Sequence, residues 1–303
     1  MITLSIIIVN YNTKELLERC VDSIKKQVLP ARIATSPKSC AYRCWRAQSV
    51  AGGSIKYEII VVDNGSKDGS VEYVKKLENK KYISTIGTIK TIFNKENLGF
   101  AKANNQGIKK ALGKYTLLLN SDTEFKKGAL EKLTKFAEET PDAGVIGPKL
   151  LNEDGTVQSS CCHPPTALTA FGEFWLSKQG AFSKYMPYGN KPIEVDAVVG
   201  AAFLITPAAL KKVGLLDERY FFYFEDLDYC RRVKRAGLKV YYLPEAEIIH
   251  LHGASGKKLS GETKRWLVRS SKIYYGWLNY YFVNFIIWSG QKWQKLKELF
   301  RLF

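Results

Sequence analysis

Acidic residues are scarce in this chain. Its 303 residues carry 29 Asp and Glu against 46 Lys and Arg, a formal net charge of +17. Such an excess suits a polyanionic partner: nucleic acid, an anionic bilayer or a phosphorylated substrate. Helix-turn-helix, zinc-finger and RNA-recognition spacings are all missing, which counts against nucleic acid. Cysteine is sparse, with 6 in total. Cys161 and Cys162 are adjacent, Cys40 and Cys44 are close in sequence, and Cys20 and Cys230 stand alone. That spacing excludes the disulfide framework of a small secreted domain, gives only a weak zinc signal and points to a reducing compartment. No glycine-rich phosphate loop follows the first apolar run, where Ile8-Val9-Asn10-Tyr11-Asn12 stands instead. Its absence counts against a P-loop enzyme and against a hydride-transfer dehydrogenase. Long uninterrupted apolar runs are missing too. Ile2 to Val9 has no basic flank, is too short for a signal-peptide core and reads as a buried strand. Ile273 to Gly290 has no charge, but Asn279, Asn284 and Ser289 make it too polar for a good spanning helix.

What is present is an alternation. The runs Leu4 to Asn10, Tyr57 to Asp63, Thr88 to Asn94 and Tyr115 to Asn120 read as strands. Between and after them, Lys14 to Gln27, Ser70 to Asn79, Leu98 to Leu112 and Lys127 to Glu139 carry helical periodicity, with Thr13 placed to cap the first. Near-continuous apolar strands alternating with helices predict an α/β fold with a mainly parallel sheet covered on both faces. Functional residues then belong at the C-terminal ends of the strands. Asn10, Asp63, Asn94 and Asp122 all occupy such ends. Residues 29–56 interrupt the alternation with Pro30, Pro37, Trp45 and Gly52-Gly53, and read as a disordered or mobile basic insertion. A second irregular stretch, Cys161 to Glu194, is expected to hold a short helix and to form part of an acceptor side.

Two acidic segments stand out. Asn120-Ser121-Asp122 closes the apolar run Tyr115 to Leu119, and Glu225-Asp226-Leu227-Asp228 follows the aromatic run Phe221 to Phe224. Carboxylates beside such runs are costly unless something pairs with them. Two separate clusters suggest one metal site and one proton site. Asp122 offers a hard oxygen to a divalent cation bridging phosphates, or simply caps a turn. Asp63, within Asp63-Asn64-Gly65-Ser66, either accepts from a base or ribose or makes an Asx turn. His250 and His252 would share one face of a strand, although a structural histidine accounts for either equally well. Arg231 and Arg232 either neutralise phosphate or serve a helix end. At the C-terminus, Trp293, Leu296, Leu299, Phe300 and Phe303 form a helical stripe among Lys292, Lys295, Lys297 and Arg301. That pattern predicts an interfacial helix on an anionic membrane, or a helix docked on the domain or a partner.

The chain resembles the inverting family 2 glycosyltransferases of the A fold, in particular their rhamnosyltransferase-like branch. The resemblance is carried, in family order, by Ser5-Ile6-Ile7-Ile8-Val9-Asn10-Tyr11-Asn12, Val61-Val62-Asp63-Asn64-Gly65-Ser66, Asn97-Leu98-Gly99-Phe100-Ala101 with Asn104-Asn105-Gln106-Gly107, Leu118-Leu119-Asn120-Ser121-Asp122, Val199-Gly200-Ala201-Ala202-Phe203-Leu204, Gly214-Leu215-Leu216-Asp217-Glu218 with Phe224-Glu225-Asp226-Leu227-Asp228, and His250-Leu251-His252-Gly253-Ala254-Ser255. It implies a GT-A type, Rossmann-like sheet flanked by helices over residues 1–260. An aromatic, basic helical region follows over residues 261–303. It also implies that Asn10, Tyr11 and Asp63 hold the nucleotide base, and that Ser121 lies near the ribose or phosphate. Asp122 and His250 (rather than His252) would hold Mg2+ or Mn2+. The family's usual Asp-x-Asp is here reduced to Asn120-Ser121-Asp122, with one carboxylate left. Asp226 would be the general base and Glu225 would orient it or bind acceptor hydroxyls.

The chemistry agrees with that assignment. A departing nucleoside diphosphate needs a cation, and an acceptor hydroxyl needs a carboxylate within reach. One base without an enzymic nucleophile suits a single displacement with inversion, unlike the two-carboxylate hydrolases. The expected reaction transfers rhamnose from dTDP-rhamnose to a polysaccharide or lipid-linked glycan, at the cytoplasmic, inner face of the cell membrane. The alternatives are a UDP-sugar donor, a non-catalytic A-fold binding protein, and a nucleotidyltransferase. The last would show an activating glycine-rich loop after the first strand, which is missing.

Overall fold

The computed structural model of the protein describes residues 2–27, 55–79, 88–251 and 260–300. Strand β1 (Leu4–Asn10) leads into α1 (Lys14–Lys26), β2 (Tyr57–Asp63) into α2 (Ser70–Asn79), and β3 (Ile89–Phe93) into α3 (Phe100–Lys110). Next come β4 (Tyr115–Asn120), β5 (Thr123–Phe125), α4 (Ala129–Glu139) and β6 (Ala143–Leu151). The middle of the chain is made of short pieces: β7 (Val157–Gln158), β8 (Cys161–Cys162), α5 (Ala167–Phe174), β9 (Ile193–Val195), β10 (Ala197–Val198) and β11 (Ala202–Ile205). The last third holds α6 (Pro207–Val213), α7 (Glu225–Arg235), β12 (Lys239–His250), α8 (Ser260–Tyr275) and α9 (Trp277–Phe300). Most of the predicted insertion, residues 29–54, lies outside the described residues, as do Cys40, Cys44, His252, Arg301 and Phe303.

The strands form one 10-stranded sheet in the order β3-β2-β1-β4-β11-β6-β12-β5, with β7 against β6 and β9 against β12. Neighbours β3, β2, β1 and β4 run parallel, as the alternation predicts. The sequence reading did not anticipate β11, which slots between β4 and β6 antiparallel to both. Period-two alternation explains the two-sided core. Ile6 and Ile8, Ile59 and Val61, and Leu117 and Leu119 face one layer, with Leu17, Val21 and Ile24 of α1, Val74 of α2 and Leu133 of α4. Ile7, Ile60, Val62 and Leu118 face the other, with Ala101 and Ala103 of α3 and Tyr229 and Val233 of α7.

At the N-terminal end of the parallel strands sits a buried acid, Glu58 of β2. Its carboxylate accepts hydrogen bonds from Ser5 Oγ at 2.6 Å and from the Leu112 N–H at 2.6 Å, and pairs with Lys90 Nζ at 2.7 Å. Burial alone would push this acid up. Its contacts with Lys90, Ser5 and Leu112 outweigh burial and hold the carboxyl below the usual range.

The C-terminal region differs from the short amphipathic tail predicted at Gln291 to Phe303. Helix α9 runs unbroken from Trp277 and is set off from α8 by Gly276, whose φ of +77° breaks the helix. It docks on α5: Trp175 stacks on Trp293 with ring centroids 6.0 Å apart, and a Cβ at Gly290 would lie 2.7 Å from Phe174 Cβ. The exposed apolar side of α9 carries Trp277, Leu278, Tyr281, Phe282, Phe285 and Trp288 as well as Leu296 and Leu299. No helix among the described residues is long and apolar enough to cross a membrane.

Candidate functional site

The C-terminal ends of β1, β2 and β4 meet in a hydrogen-bonded floor. Because β1 and β2 run parallel in register, Asn10 stands opposite Asp63. Asn10 Nδ2 donates to Asp63 Oδ2 at 3.0 Å, and the Ser66 N–H donates to Asp63 Oδ1 at 2.9 Å. Asp63 thus closes the Asx-type turn foreseen for it, and both of its oxygens are engaged. Thr13 occupies the N-cap position of α1 but makes no side-chain cap. Its hydroxyl instead donates to Asn10 Oδ1 at 2.7 Å. With that proton spent, Thr13 Oγ1 can only accept from Ser121 Oγ, 2.8 Å away. A continuous network therefore runs from Ser121 on the β4 side to Asp63 on β2. Asn10 and Asp63 are fully buried, so in this structure neither side chain reaches the open cleft.

Above this floor lies a cleft lined by Tyr11, Asn64, Ser121, Asp122, Phe221 and Trp266 among others. Its far wall comes from the second half of the chain. Gly99, at φ +85°, lets the start of α3 meet Phe221: a Cβ there would lie 2.6 Å from the Phe221 carbonyl oxygen. The Phe100 N–H donates to that same oxygen at 2.6 Å. Trp266 of α8 packs on Phe221, ring centroids 4.7 Å apart, so the region after residue 260 helps build the cleft.

A second compartment adjoins the first and shares Phe100, Asn120, Asp122 and Phe222 with it. Its own lining includes Gln158, Lys184, Glu225, Asp226 and His250. Asp122 thus stands at the junction of the two spaces. Strand pairing explains why His250 joins it: β5 runs antiparallel to β12, with Thr123 opposite His250. The Leu251 N–H donates to the Asp122 carbonyl at 2.9 Å. His250 Nε2 comes 3.5 Å from Asp122 Oδ1, and both residues are buried. On its other side, His250 Nδ1 lies 2.7 Å from Gln158 Oε1. An acceptor at Nδ1 calls for a proton there, and Nε2 is the ring nitrogen on the Asp122 side. Asn120 Oδ1 is also buried here, with no hydrogen-bond partner among the described residues.

These donors suit a divalent cation. One carboxylate, one imidazole held through its other nitrogen and one buried amide oxygen are a coherent partial ligand set. Among the described residues no group of three or more His, Cys, Asp and Glu side chains could hold a metal by itself.

Across the second compartment, α7 presents its first turn. Tyr223 and Phe224 precede it with φ of 70° and 69°, two consecutive non-glycine residues in the left-handed region. This turn swings Glu225 and Asp226 to face the compartment. Asp226 Oδ2 accepts from the Gly200 N–H at 2.9 Å and Oδ1 from its own helix at Leu227 N, 2.8 Å. Glu225 is almost wholly buried, and its Oε2 has no hydrogen-bond partner among the described residues. Burial, then the neighbouring Asp226 carboxylate, push Glu225 well above the usual range. Burial also raises Asp226, but the Gly200 and Leu227 N–H groups and Lys184 work against it. Of the pair, Glu225 keeps its proton to the higher pH and Asp226 ionises first. Arg231 and Arg232 are held by Asp228, each at 2.7 Å, and Arg232 also donates to the carbonyls of Val213 and Leu215. They serve α7.

Lys184, Gln158 and Trp266 escaped the residue-by-residue reading. Lys184 lies in the irregular stretch assigned to the acceptor side, so position hinted at it but no motif did. Gln158 sits on a two-residue strand without a sequence signature. Trp266 belongs to the aromatic C-terminal region, whose sequence pattern points to membrane contact or docking and not to a cleft wall.

The sheet and the acid-lined double cleft at its C-terminal edge define an α/β protein of the GT-A kind. The sequence model of Glycosyl transferase family 2 matches residues 5–160, more than half of the chain. The protein belongs to that family. It is 29% identical over 212 residues to an N-acetylglucosaminyl-diphospho-decaprenol L-rhamnosyltransferase of Mycobacterium tuberculosis, covering 63% of this chain and 66% of the relative. It is 24% identical over 197 residues to the low-salt glycan biosynthesis hexosyltransferase Agl10 of Haloferax volcanii, covering 64% of this chain and 58% of the relative. The matches thus span at most about two thirds of those relatives' lengths. Among solved structures, the mannosyltransferase PcManGT of Pyrobaculum calidifontis, in complex with GDP-Man and Mn2+, shares the fold with a TM-score of 0.54. That likeness is at 16% identity and covers 89% of this chain and 61% of the other.

Proposed function

We propose that the protein transfers a sugar from a nucleoside-diphosphate donor to a hydroxyl of a glycan or lipid-linked glycan, with inversion. The observation that carries this reading is the placement of Asp122 at the wall shared by the two compartments, beside His250 and across from Asp226. In this reading the first compartment takes the nucleotide. Tyr11 and Trp266 flank the base, Ser121 lies near the ribose or phosphate, and Asn10 and Asp63 hold the strand ends that shape the floor. Asp122 and His250 hold the cation, which when bound offsets the charge of the departing diphosphate. An imidazole ligand favours Mn2+ over Mg2+, which takes oxygen ligands. In the second compartment Asp226, fixed by the Gly200 and Leu227 N–H groups, takes the proton of the acceptor hydroxyl. Glu225 keeps its own proton and donates a hydrogen bond that orients the acceptor.

The donor is dTDP-rhamnose or a UDP-sugar. A relative named as a rhamnosyltransferase speaks for the first, and one named as a hexosyltransferase speaks against restricting the donor to it. A screen of dTDP-rhamnose and UDP-sugars with Mn2+ and then Mg2+, read by nucleoside diphosphate release and linkage analysis, decides between them. A protein that binds no donor with either metal would sink the catalytic reading and leave a non-catalytic binding protein.

The exposed apolar side of α9 and its lysines would rest on an anionic membrane at the cytoplasmic face, close to a lipid-linked acceptor. Replacing Trp277, Phe282, Phe285 and Trp288 with Ser should release the protein from phosphatidylglycerol vesicles. Unchanged binding would remove the membrane from this account.

A further inference from the structure

The cation reading leaves open what fixes the ring of His250. Its Nδ1 partner, Gln158 Oε1, belongs to an amide that could turn over and present N–H instead. The surrounding hydrogen bonds decide its direction. Gln158 Nε2 donates to Asn152 Oδ1 at 2.9 Å. Asn152 Nδ2 donates to Thr156 Oγ1 at 2.9 Å. Thr156 Oγ1 in turn donates to Asp154 Oδ1 at 2.6 Å, and the Thr156 N–H reaches the same oxygen at 2.9 Å.

Direction enters at Asp154. An ionised carboxylate only accepts, so the Thr156 proton must point to it. Thr156 Oγ1 then accepts from Asn152, Asn152 Oδ1 accepts from Gln158, and Gln158 is left with its carbonyl oxygen toward His250. Each link has one consistent polarity, set by the turn between β6 and β7. That hairpin is anchored by the Asn152 N–H to the Thr156 carbonyl at 2.8 Å and by Gln158 pairing with Leu150. Leu150 in turn pairs with Ile248, two residues before His250 on β12.

We propose that Gln158, oriented through Asn152 and Thr156 by Asp154, is a positioning residue that fixes the His250 proton on Nδ1 and so presents its Nε2 lone pair to the cation beside Asp122. The proposal rests on the cation reading given above for what Nε2 receives, but not for the tautomer, which exists without metal. The turn between β6 and β7 thereby acquires a role at the site through Gln158, which lines it. A ligating imidazole commonly owes its tautomer and orientation to such an outer partner.

The test separates the two readings. In the full-length metal-free protein labelled with 15N-histidine, two-bond 1H–15N correlation spectra report the tautomer of each ring. With only 3 histidines in the chain, His250 is assigned by its loss in His250→Ala. The parent should show the Nδ1–H form. Gln158→Leu should shift His250 towards the Nε2–H form and weaken Mn2+ binding, read by EPR with UDP or dTDP present, by about 10- to 100-fold. Gln158→Glu keeps an acceptor at Nδ1 and should retain both parent tautomer and affinity. Should Gln158→Leu fail to fold, Asn152→Leu, in the half-exposed hairpin, frees the Gln158 amide to turn over and should move the same signals less far. A parent in the Nε2–H form, or an unmoved tautomer in Gln158→Leu and Asn152→Leu, would overturn the proposal. A parent that binds no Mn2+ would instead overturn the cation reading, while the spectra still decide the relay.

Discussion

Two sets of buried carboxylates sit at opposite ends of the same parallel strands, and the protein treats them in opposite ways. Glu58, at the N-terminal end, is matched by Lys90, Ser5 Oγ and the Leu112 N–H, and its carboxyl is held below the usual range. Glu225 and Asp226, beyond the C-terminal end, lie beside each other and both are raised by burial. The first arrangement lowers the energy of the folded chain and leaves the acid inert. The second maintains a costly pair held above the usual carboxylate range, which a fold tolerates where chemistry needs it. The difference marks the second pair, and not Glu58, as the candidate for chemistry without reference to any relative.

The largest effects should come from the C-terminal end and should be kinetic. Asp226→Asn keeps the shape of the side chain and removes the base. It should lower kcat about 10²- to 10⁴-fold while leaving donor affinity and Tm close to the parent's. Measured turnover within a few-fold of the parent's would move the proton transfer elsewhere. Asp122→Ala should follow closely, lowering kcat/KM about 100-fold. More Mn2+ should restore part of that loss, a rescue that Asp226→Asn should not show; equal behaviour of the two variants in a Mn2+ titration would erase the distinction between metal and proton site. The N-terminal end should answer in stability alone. Glu58→Ala strips Lys90, Ser5 and Leu112 of their shared partner and should cost about 3 kcal/mol in urea unfolding. Donor affinity should stay unchanged, because the site lies at the other end of the strands. A kinetic defect there with normal stability would break the contrast.

How far this contrast could be read beforehand depends on the range of the interactions. Local signals carried the first half. An apolar run that ends on a polar residue marks a strand end, and Asn10, Asp63 and Asp122 were found that way. The pairing of Asp122 with His250 arises from β5 lying against β12, a contact between segments far apart in sequence that no local pattern encodes. The strand pattern raised His250 and His252 together, and only the family resemblance preferred His250 and set it beside Asp122. The antiparallel β11 was missed for the same reason, as its four buried residues look like any short apolar run. Thr13 shows the converse. Its residue type and place fit a helix cap, but a tertiary partner, Asn10, took the hydroxyl. The split at the C-terminus between Ile273–Gly290 and Gln291–Phe303 followed charge. The helix follows backbone continuity from Gly276 onward and ignores that boundary.

The smallest predicted effect tests the sign of the contrast. Glu58 has a folded pKa below its unfolded value, so its stabilisation is complete above the unfolded pKa and is lost as pH falls through the folded one. Glu225 has a folded pKa above its unfolded value, so its contribution is most favourable below the unfolded pKa and is lost as pH rises through the folded one. Glu225→Gln removes the titration and preserves the hydrogen-bonding shape of the protonated acid. At pH 8 it should therefore stabilise the protein, and at pH 4 it should do nothing measurable. The parent and Glu225→Gln unfolding curves should converge as pH falls, whereas those of the parent and Glu58→Ala should converge only as Glu58 itself takes up a proton at the acid extreme. A Glu225→Gln variant less stable than the parent at pH 8 would mean that Glu225 is ionised and paired in the folded protein, and the two ends of the sheet would no longer differ in kind.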